Sequence, residues 1–150
     1  MSLKAKLQGD LNEAIKSRDT VVAETVRMIL AAITNEEVAG KEKKELSDAE
    51  VITVLTREAK KRREAAEAFE QGGRADRAAA ERAEGEVIAR YLPEQLSEAE
   101  LNKLIAETIA AVGAAGPSDM GKVMGALKAK VAGKADGATV SNLVKAALSK

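Results

Sequence analysis

The chain of 150 residues contains neither histidine nor cysteine, which excludes the common zinc sites, cysteine nucleophiles, Ser-His-Asp triads and disulfide frameworks. Its 24 basic and 24 acidic residues balance, so the whole molecule does not attract polyanions, while a hydrophobic fraction of 45% suffices for a buried core. Aromatic residues make up only 1%, so the chain offers almost no platform on which nucleic-acid bases could stack.

Apolar residues recur at helical spacing throughout and no strand-like alternation is found, which predicts an all-α fold. Four helices are expected before residue 93. The first carries a stripe of leucines, and the second begins at an Asp19 cap. The third begins at the capping box Ser47-Asp-Ala-Glu50 and ends at Gly72-Gly73, and the Ala- and Arg-rich fourth ends at Tyr91, before Pro93.

Pro93 marks the predicted domain boundary, because proline disfavours helix at the residue before it. We expect an N-terminal helical subdomain over residues 1–92 and a compact three-helix subdomain over residues 93–150. In the second subdomain the capping box Ser97-Glu-Ala-Glu100 opens the fifth helix, Gly113 closes it, and Asp136 caps the last helix.

Two groups of basic side chains are predicted to be mainly structural. The basic run between Arg57 and Arg63 is interleaved with glutamates at helical spacing, which indicates a largely ion-paired surface. Arg27 lies in an apolar neighbourhood next to Val26. It is predicted to fasten one helix to another, with ligand binding as the alternative.

The sixth helix contains two glycines, Gly121 and Gly125, each of which costs about 1 kcal/mol relative to alanine. Their presence indicates that another group approaches the bared backbone. The favoured interpretation is close packing of the fifth or seventh helix, and the alternative is contact with a sugar-phosphate chain or a partner helix. The segment 116–123 nearly matches a phosphate-binding loop, but it follows a helix and lacks the final hydroxyl residue, so nucleotide binding is not expected.

The end of the chain is basic on a slightly acidic body. From Ser118 onward six lysines stand against two acids, which favours an anionic partner. The candidates for phosphate contact are Lys122, Lys128, Lys130 and Lys134. The alternative interpretation is a solvated helix face whose lysines complement the helix C-terminus.

The start of the chain is charged within four residues, and no apolar run reaches the roughly 20 residues of a membrane span. We therefore expect a cytoplasmic protein with no signal peptide and no membrane partner. Since no carboxylate pair lies in an apolar setting, we expect no catalytic residue, no cofactor and no metal site.

Four blocks of sequence resemble the YqeY family: Thr25-Val-Arg-Met-Ile29, Leu55-Thr-Arg-Glu58, Tyr91-Leu-Pro-Glu-Gln-Leu-Ser97 and Asp119-Met-Gly-Lys-Val-Met-Gly-Ala-Leu-Lys128. These are free-standing bacterial proteins similar to the C-terminal tail of GatB, a subunit of the glutamine-dependent Asp/Glu-tRNA amidotransferase. The resemblance covers essentially the whole chain. It implies an all-helical fold with a larger N-terminal part and a small three-helix part.

The resemblance also implies contact with tRNA, away from the catalytic centres of the amidotransferase. By carry-over, the candidate RNA-binding residues are Gly121, Lys122, Gly125, Lys128, Gly133, Lys134 and Gly137. The family label of carbon–nitrogen ligase activity with glutamine as amido-N-donor belongs to the full complex, so the chain alone is not expected to be catalytic. We expect a tRNA-binding module or an accessory of the aminoacyl-tRNA or amidotransferase machinery, with no DNA partner. The alternative is a helical protein–protein interaction adaptor without RNA binding.

Overall fold

Seven α-helices account for most of the chain in the computed structural model, which describes residues 2–149. A short 3₁₀ helix at Pro117–Asp119 precedes the sixth, and the described residues contain no strand, so the all-α prediction is confirmed. The α-helices are α1 Leu3–Ser17, α2 Thr20–Val38, α3 Asp48–Gln71, α4 Ala75–Ala89, α5 Glu98–Val112, α6 Met120–Val131 and α7 Gly137–Leu148. The chain divides into two compact units, Met1–Leu92 and Pro93–Lys150.

Side-chain caps set the helix starts at the predicted positions. Asp19 and Asp136 each accept a hydrogen bond from the backbone N–H three residues later, and so do Ser47 and Ser97. The Glu50 carboxylate returns the interaction by accepting from the Ser47 N–H at 2.8 Å, which completes the capping box. The second predicted capping box is wrong in this half, because the Glu100 carboxylate accepts from the Ser97 hydroxyl at 2.9 Å instead. These caps satisfy backbone donors that a helix start leaves without an intrahelical partner.

The first unit packs α1 to α4 around an aliphatic core. The most extensive contact is between α3 and α4, while α2 contacts each of α1, α3 and α4. The buried core consists of Leu7, Val26, Ile29, Ile33, Val51, Val54, Leu55, Val87 and Ile88. Burial of these aliphatic side chains is the main term that favours folding of this unit.

A buried carboxylate fastens the α2–α3 loop in the first unit. Glu37, in the last turn of α2, is only 3% exposed. It accepts from the Lys4 ammonium at 2.8 Å and from the Leu46 N–H at 3.1 Å. These two donors, the Lys4 ammonium first, hold the pKa of Glu37 below its ordinary value. The carboxylate therefore connects the start of α1 to the end of the loop.

Arg62 reaches inward from α3 towards carboxylates of α4. Its Nε lies 3.1 Å from a carboxylate oxygen of Glu84 and 3.6 Å from one of Glu81. A terminal guanidinium nitrogen lies 3.6 Å from Glu58 on α3 itself, and the Arg62 side chain is 15% exposed. Arg27, by contrast, is exposed and forms no hydrogen bond or ion pair with the other residues among 2–149, so its predicted role between helices is wrong. Arg62 is the arginine with a mostly buried side chain that joins α3 to α4, and the more exposed Arg57 also pairs with Glu36 of α2.

Two lysines of the basic run between Arg57 and Arg63 form the predicted ion pairs with glutamates of the same helix. Lys61 pairs with Glu58 at 3.3 Å, and Lys60 lies 3.9 Å from Glu64. The prediction of an ion-paired surface is confirmed for these side chains.

In the second unit α5, α6 and α7 each pack against the other two. The core consists of Leu101, Ile105, Val123, Leu127, Val131, Val140, Val144 and Leu148. Gly113 ends α5 with a φ of +67°, a left-handed conformation that glycine adopts without steric cost. None of the helices within residues 2–149 combines the length and the apolar character needed to cross a membrane.

Candidate nucleic-acid interface

Helix α6 has one buried face and one open face. Val123, Leu127 and Val131 recur every four residues, are buried, and belong to the core of the second unit. At about 100° per residue, Gly125 lies about 160° around the helix axis from both Val123 and Leu127. Gly121 and Gly125 are both exposed, so they lie on the side of α6 that turns away from α5 and α7.

The two glycines are not required by packing. A methyl group built at Gly121 or at Gly125 would meet no neighbouring atom within 4 Å. The favoured interpretation from the sequence, close approach of α5 or α7, is therefore wrong. The backbone that Gly121 and Gly125 bare, which we call the glycine face, is open to an outside partner.

Two lysines of α6 border the glycine face. At about 100° per residue Lys122 and Lys128 each lie about 60° around the helix axis from Gly125, whereas Lys130 lies about 140° away. Lys122, Lys128, Lys130 and Lys134 are all exposed. Within residues 2–149 none of these four ammonium groups forms a salt bridge, whereas in the first unit lysines such as Lys4 and Lys61 do. Lys128 and Lys130 lie in the last turn of α6, where they also complement the negative end of the helix dipole. The open side of α6 thus combines accessible positive charge with uncovered backbone.

The turn between α6 and α7 carries the remaining candidate residues. Gly133 takes a φ of +72°, which gives it a local conformational role. Lys134 follows with its N–H donated to the Val131 carbonyl at 2.8 Å and its side chain exposed. Gly137 is the first residue of α7, directly after the Asp136 cap. All seven candidate residues therefore lie on α6, on the turn after it, or at the start of α7.

The segment before α6 does not form a nucleotide loop. Asp119 turns its carboxylate back onto the loop and accepts the Ala115 N–H at 2.8 Å. That hydrogen bond is the main cause of the lowered pKa of Asp119. The chain thus supplies its own anion to a backbone donor of this loop, and the preceding element is α5 rather than a strand.

The chain matches the family model of Yqey-like proteins over residues 4–148, nearly its full length. It belongs to the YqeY family. An uncharacterised protein of the fission yeast Schizosaccharomyces pombe is 34% identical over 97 residues, which cover 64% of this chain and 76% of that protein. The resemblance noted from the sequence blocks is confirmed at the level of the family, and similarity of this kind extends to a eukaryote.

This YqeY protein also has a cleft of about 270 Å³ in its first unit. Tyr91 donates its hydroxyl to Asp10 at 2.6 Å, and the Lys6 ammonium lies 3.1 Å from the same carboxylate and 4.9 Å from the Tyr91 ring centroid. The Tyr91 hydrogen bond is the main cause of the lowered pKa of Asp10, while burial is the main cause of the raised pKa of Tyr91. Lys6, Asp10 and Tyr91 thus bond to one another within the cleft.

Sequence reasoning missed this cleft because Asp10 and Tyr91 lie 81 positions apart. The only available signal was Tyr91 itself, the single tyrosine of the chain, within a block typical of the family. A tyrosine that is partly buried usually finds a partner for its hydroxyl, but the sequence does not say which one.

Proposed function

We propose that this YqeY protein is a non-catalytic RNA-binding module whose ligand is tRNA. The binding surface is the glycine face of α6, its bordering lysines and the turn after α6. The observation that supports this most strongly is the coincidence of Gly121 and Gly125, which no internal packing explains, with exposed lysines that form no salt bridge within residues 2–149. Bare helix backbone lets a sugar-phosphate chain approach closely, and lysines supply the opposite charge.

The kind of RNA follows from what the second unit does not contain. Phe69 and Tyr91 are the only aromatic residues, and both precede residue 93. Binding by stacking of unpaired bases is therefore disfavoured at this surface. We propose recognition of the shape and the phosphates of a folded RNA, as expected for structured regions of a tRNA.

The proposed module assists chemistry carried out by a partner. A carbon–nitrogen ligase that takes its amide group from glutamine is the activity to which the family label points. We assign no catalytic residue in this chain to it. The protein would instead bring tRNA to the amidotransferase or aminoacyl-tRNA machinery.

A gel-shift assay with tRNA tests the proposal. The test variant is Lys122→Glu/Lys128→Glu/Lys134→Glu. The matched control, Lys16→Glu/Lys41→Glu/Arg63→Glu, makes the same change of charge at exposed positions of the first unit. We expect the wild type and the control to bind, and the test variant to bind at least about ten-fold more weakly, since it loses three phosphate contacts. Equal binding by both variants, or no binding by the wild type, contradicts the proposal.

The second candidate function is a protein-interaction adaptor. The same observation favours it, because a glycine face also admits close approach of a partner helix. Such a complex would bury little charge and would respond weakly to salt, whereas lysine–phosphate contacts weaken steeply as salt rises. Salt dependence therefore separates the two functions.

A further inference from the structure

The segment that follows Pro93 is bonded to the turn between α6 and α7. Gln95 donates its side-chain amide to the Pro93 carbonyl at 2.8 Å and to the Gly133 carbonyl at 2.6 Å. The next residue, Leu96, donates its backbone N–H to the Lys134 carbonyl at 2.9 Å. Two consecutive residues of the Tyr91–Ser97 block thus bind two consecutive carbonyls of the turn.

These bonds fix the backbone of Lys134 on both sides. Its N–H donates to the Val131 carbonyl at 2.8 Å, and its carbonyl accepts from Leu96. The Leu96 side chain packs against the core of the second unit, which holds this donor in place. Gly133 supplies the left-handed conformation, with a φ of +72°, that the turn needs. Lys134 is therefore presented from a fixed backbone, with only its exposed side chain free to move.

We propose that Gln95 is a positioning residue for the RNA-binding surface, because its side-chain amide holds the Gly133–Lys134 turn in the conformation from which the exposed Lys134 side chain contacts RNA. Gln95 itself does not touch the RNA. This inference rests on the RNA binding proposed above. It gives a function to the part of the Tyr91–Ser97 block that lies in the second unit.

The size of the effect follows from the geometry. Gln95 is exposed, so its two hydrogen bonds compete with water. We expect loss of the side-chain amide to weaken RNA binding by about three-fold, within the roughly two- to ten-fold range of a single neutral hydrogen bond. Because the effect is exerted through Lys134, it should vanish when the Lys134 charge is already absent.

A double-mutant cycle on the full chain tests this inference. The dissociation constant for unfractionated tRNA is measured at several salt concentrations for the wild type, Gln95→Ala, Lys134→Gln and the double variant. Gln8→Ala, an exposed glutamine of α1, is the control. We expect Gln95→Ala to weaken binding and to flatten the salt dependence in the wild-type background, to have no further effect in the Lys134→Gln background, and Gln8→Ala to change nothing.

The outcomes separate this inference from the proposed function. If the wild type binds tRNA but Gln95→Ala leaves the affinity unchanged, or weakens it equally with and without Lys134, Gln95 does not position Lys134. RNA binding as such then stands. If the wild type does not bind tRNA at low salt, the proposed function fails and the positioning role fails with it.

Discussion

The Tyr91 hydroxyl donates a hydrogen bond of 2.6 Å to the Asp10 carboxylate, which joins the residue just after α4 to helix α1. The Lys6 ammonium forms a salt bridge of 3.1 Å with the same carboxylate and lies 4.9 Å from the centroid of the Tyr91 ring. The contact thus connects the first helix of the first unit to the segment that follows its last helix. The ionisation of Tyr91 therefore reports whether this contact is formed.

The first prediction concerns the ionisation of Tyr91. Burial, followed by the hydrogen bond to Asp10, raises the pKa of Tyr91 above the ordinary value of about 10. Because it is the only tyrosine, ultraviolet absorbance of tyrosinate reports this residue alone. Tyr91 should ionise at higher pH in the folded protein than in the urea-unfolded chain. The contribution of Tyr91 to the free energy of unfolding should be constant below its unfolded pKa and fall as pH rises beyond it. A tyrosinate titration identical in both states would contradict this.

The second prediction is the effect of Tyr91→Phe. Removing the hydroxyl should lower the free energy of unfolding by about 0.5–1.5 kcal/mol at neutral pH, since one hydrogen bond to a partly solvated carboxylate is lost. The pKa of Asp10 is lowered in the fold, so its contribution is present above its unfolded pKa and disappears as pH falls through the lower folded pKa. Urea titrations at neutral pH and at about pH 2 should show the difference shrinking in acid. If wild type and Tyr91→Phe differ in free energy of unfolding by the same amount at both pH values, the effect of the substitution does not come from the bond to the Asp10 carboxylate.

The third prediction concerns the carboxylates around Arg62. Arg62→Ala should lower the free energy of unfolding by about 3 kcal/mol, because the partly buried carboxylates of Glu81 and Glu84 lose the cation beside them. Glu84→Gln should instead stabilise the protein by about 0.5 kcal/mol at neutral pH, because it removes repulsion with Glu81. Urea denaturation of both variants measures this.

The same pair of variants gives a pH test. Burial first, and then the Glu81 charge, raise the pKa of Glu84. Wild-type stability should therefore fall as pH rises through the folded pKa of Glu84, and Glu84→Gln should lack that part of the decrease. A loss of stability in Glu84→Gln at neutral pH would show that its attraction to Arg62 outweighs burial and repulsion.

The fourth prediction contrasts two glycines of the second unit. Gly125→Ala should raise the free energy of unfolding by about 0.5–1 kcal/mol, since alanine favours helix and its methyl group meets open space. Gly133→Ala should lower it by about 1–2 kcal/mol, because the φ there is +72°. Thermal denaturation checks both. If Gly125→Ala stabilises the protein and yet weakens tRNA binding, the glycine is retained for its partner.

The positions of the helices can be predicted from the sequence because capping residues and apolar spacing act over a few neighbouring residues. The Asp19, Ser47 and Asp136 caps each act over three residues, and the four-residue spacing of Val123, Leu127 and Val131 marks one face. The same spacing could have placed Gly121 and Gly125 on the opposite face. Their exposure follows from this spacing, whereas the general association of helical glycine with close packing does not hold on α6.

The contacts that sequence reasoning missed join residues far apart in the chain. Glu37 is buried because Lys4 and Leu46 both bond to it, and no local pattern distinguishes it from the exposed Glu36 beside it. The apolar neighbours of Arg27 predict a position between helices, but the side chain is exposed. Arg62, within an apparently surface-type charge run, has that role because α4 brings Glu81 and Glu84 to it.

The most direct test of the proposed RNA binding is the salt dependence of the wild-type affinity for tRNA, measured between about 50 and 200 mM KCl. If three to four lysines of the second unit contact phosphates, the logarithm of the binding constant should fall against the logarithm of salt with a slope of about −2 to −4. Affinity would then drop by about ten-fold or more across this range. A slope near zero, or no binding at the lowest salt, would contradict an RNA-binding surface on α6.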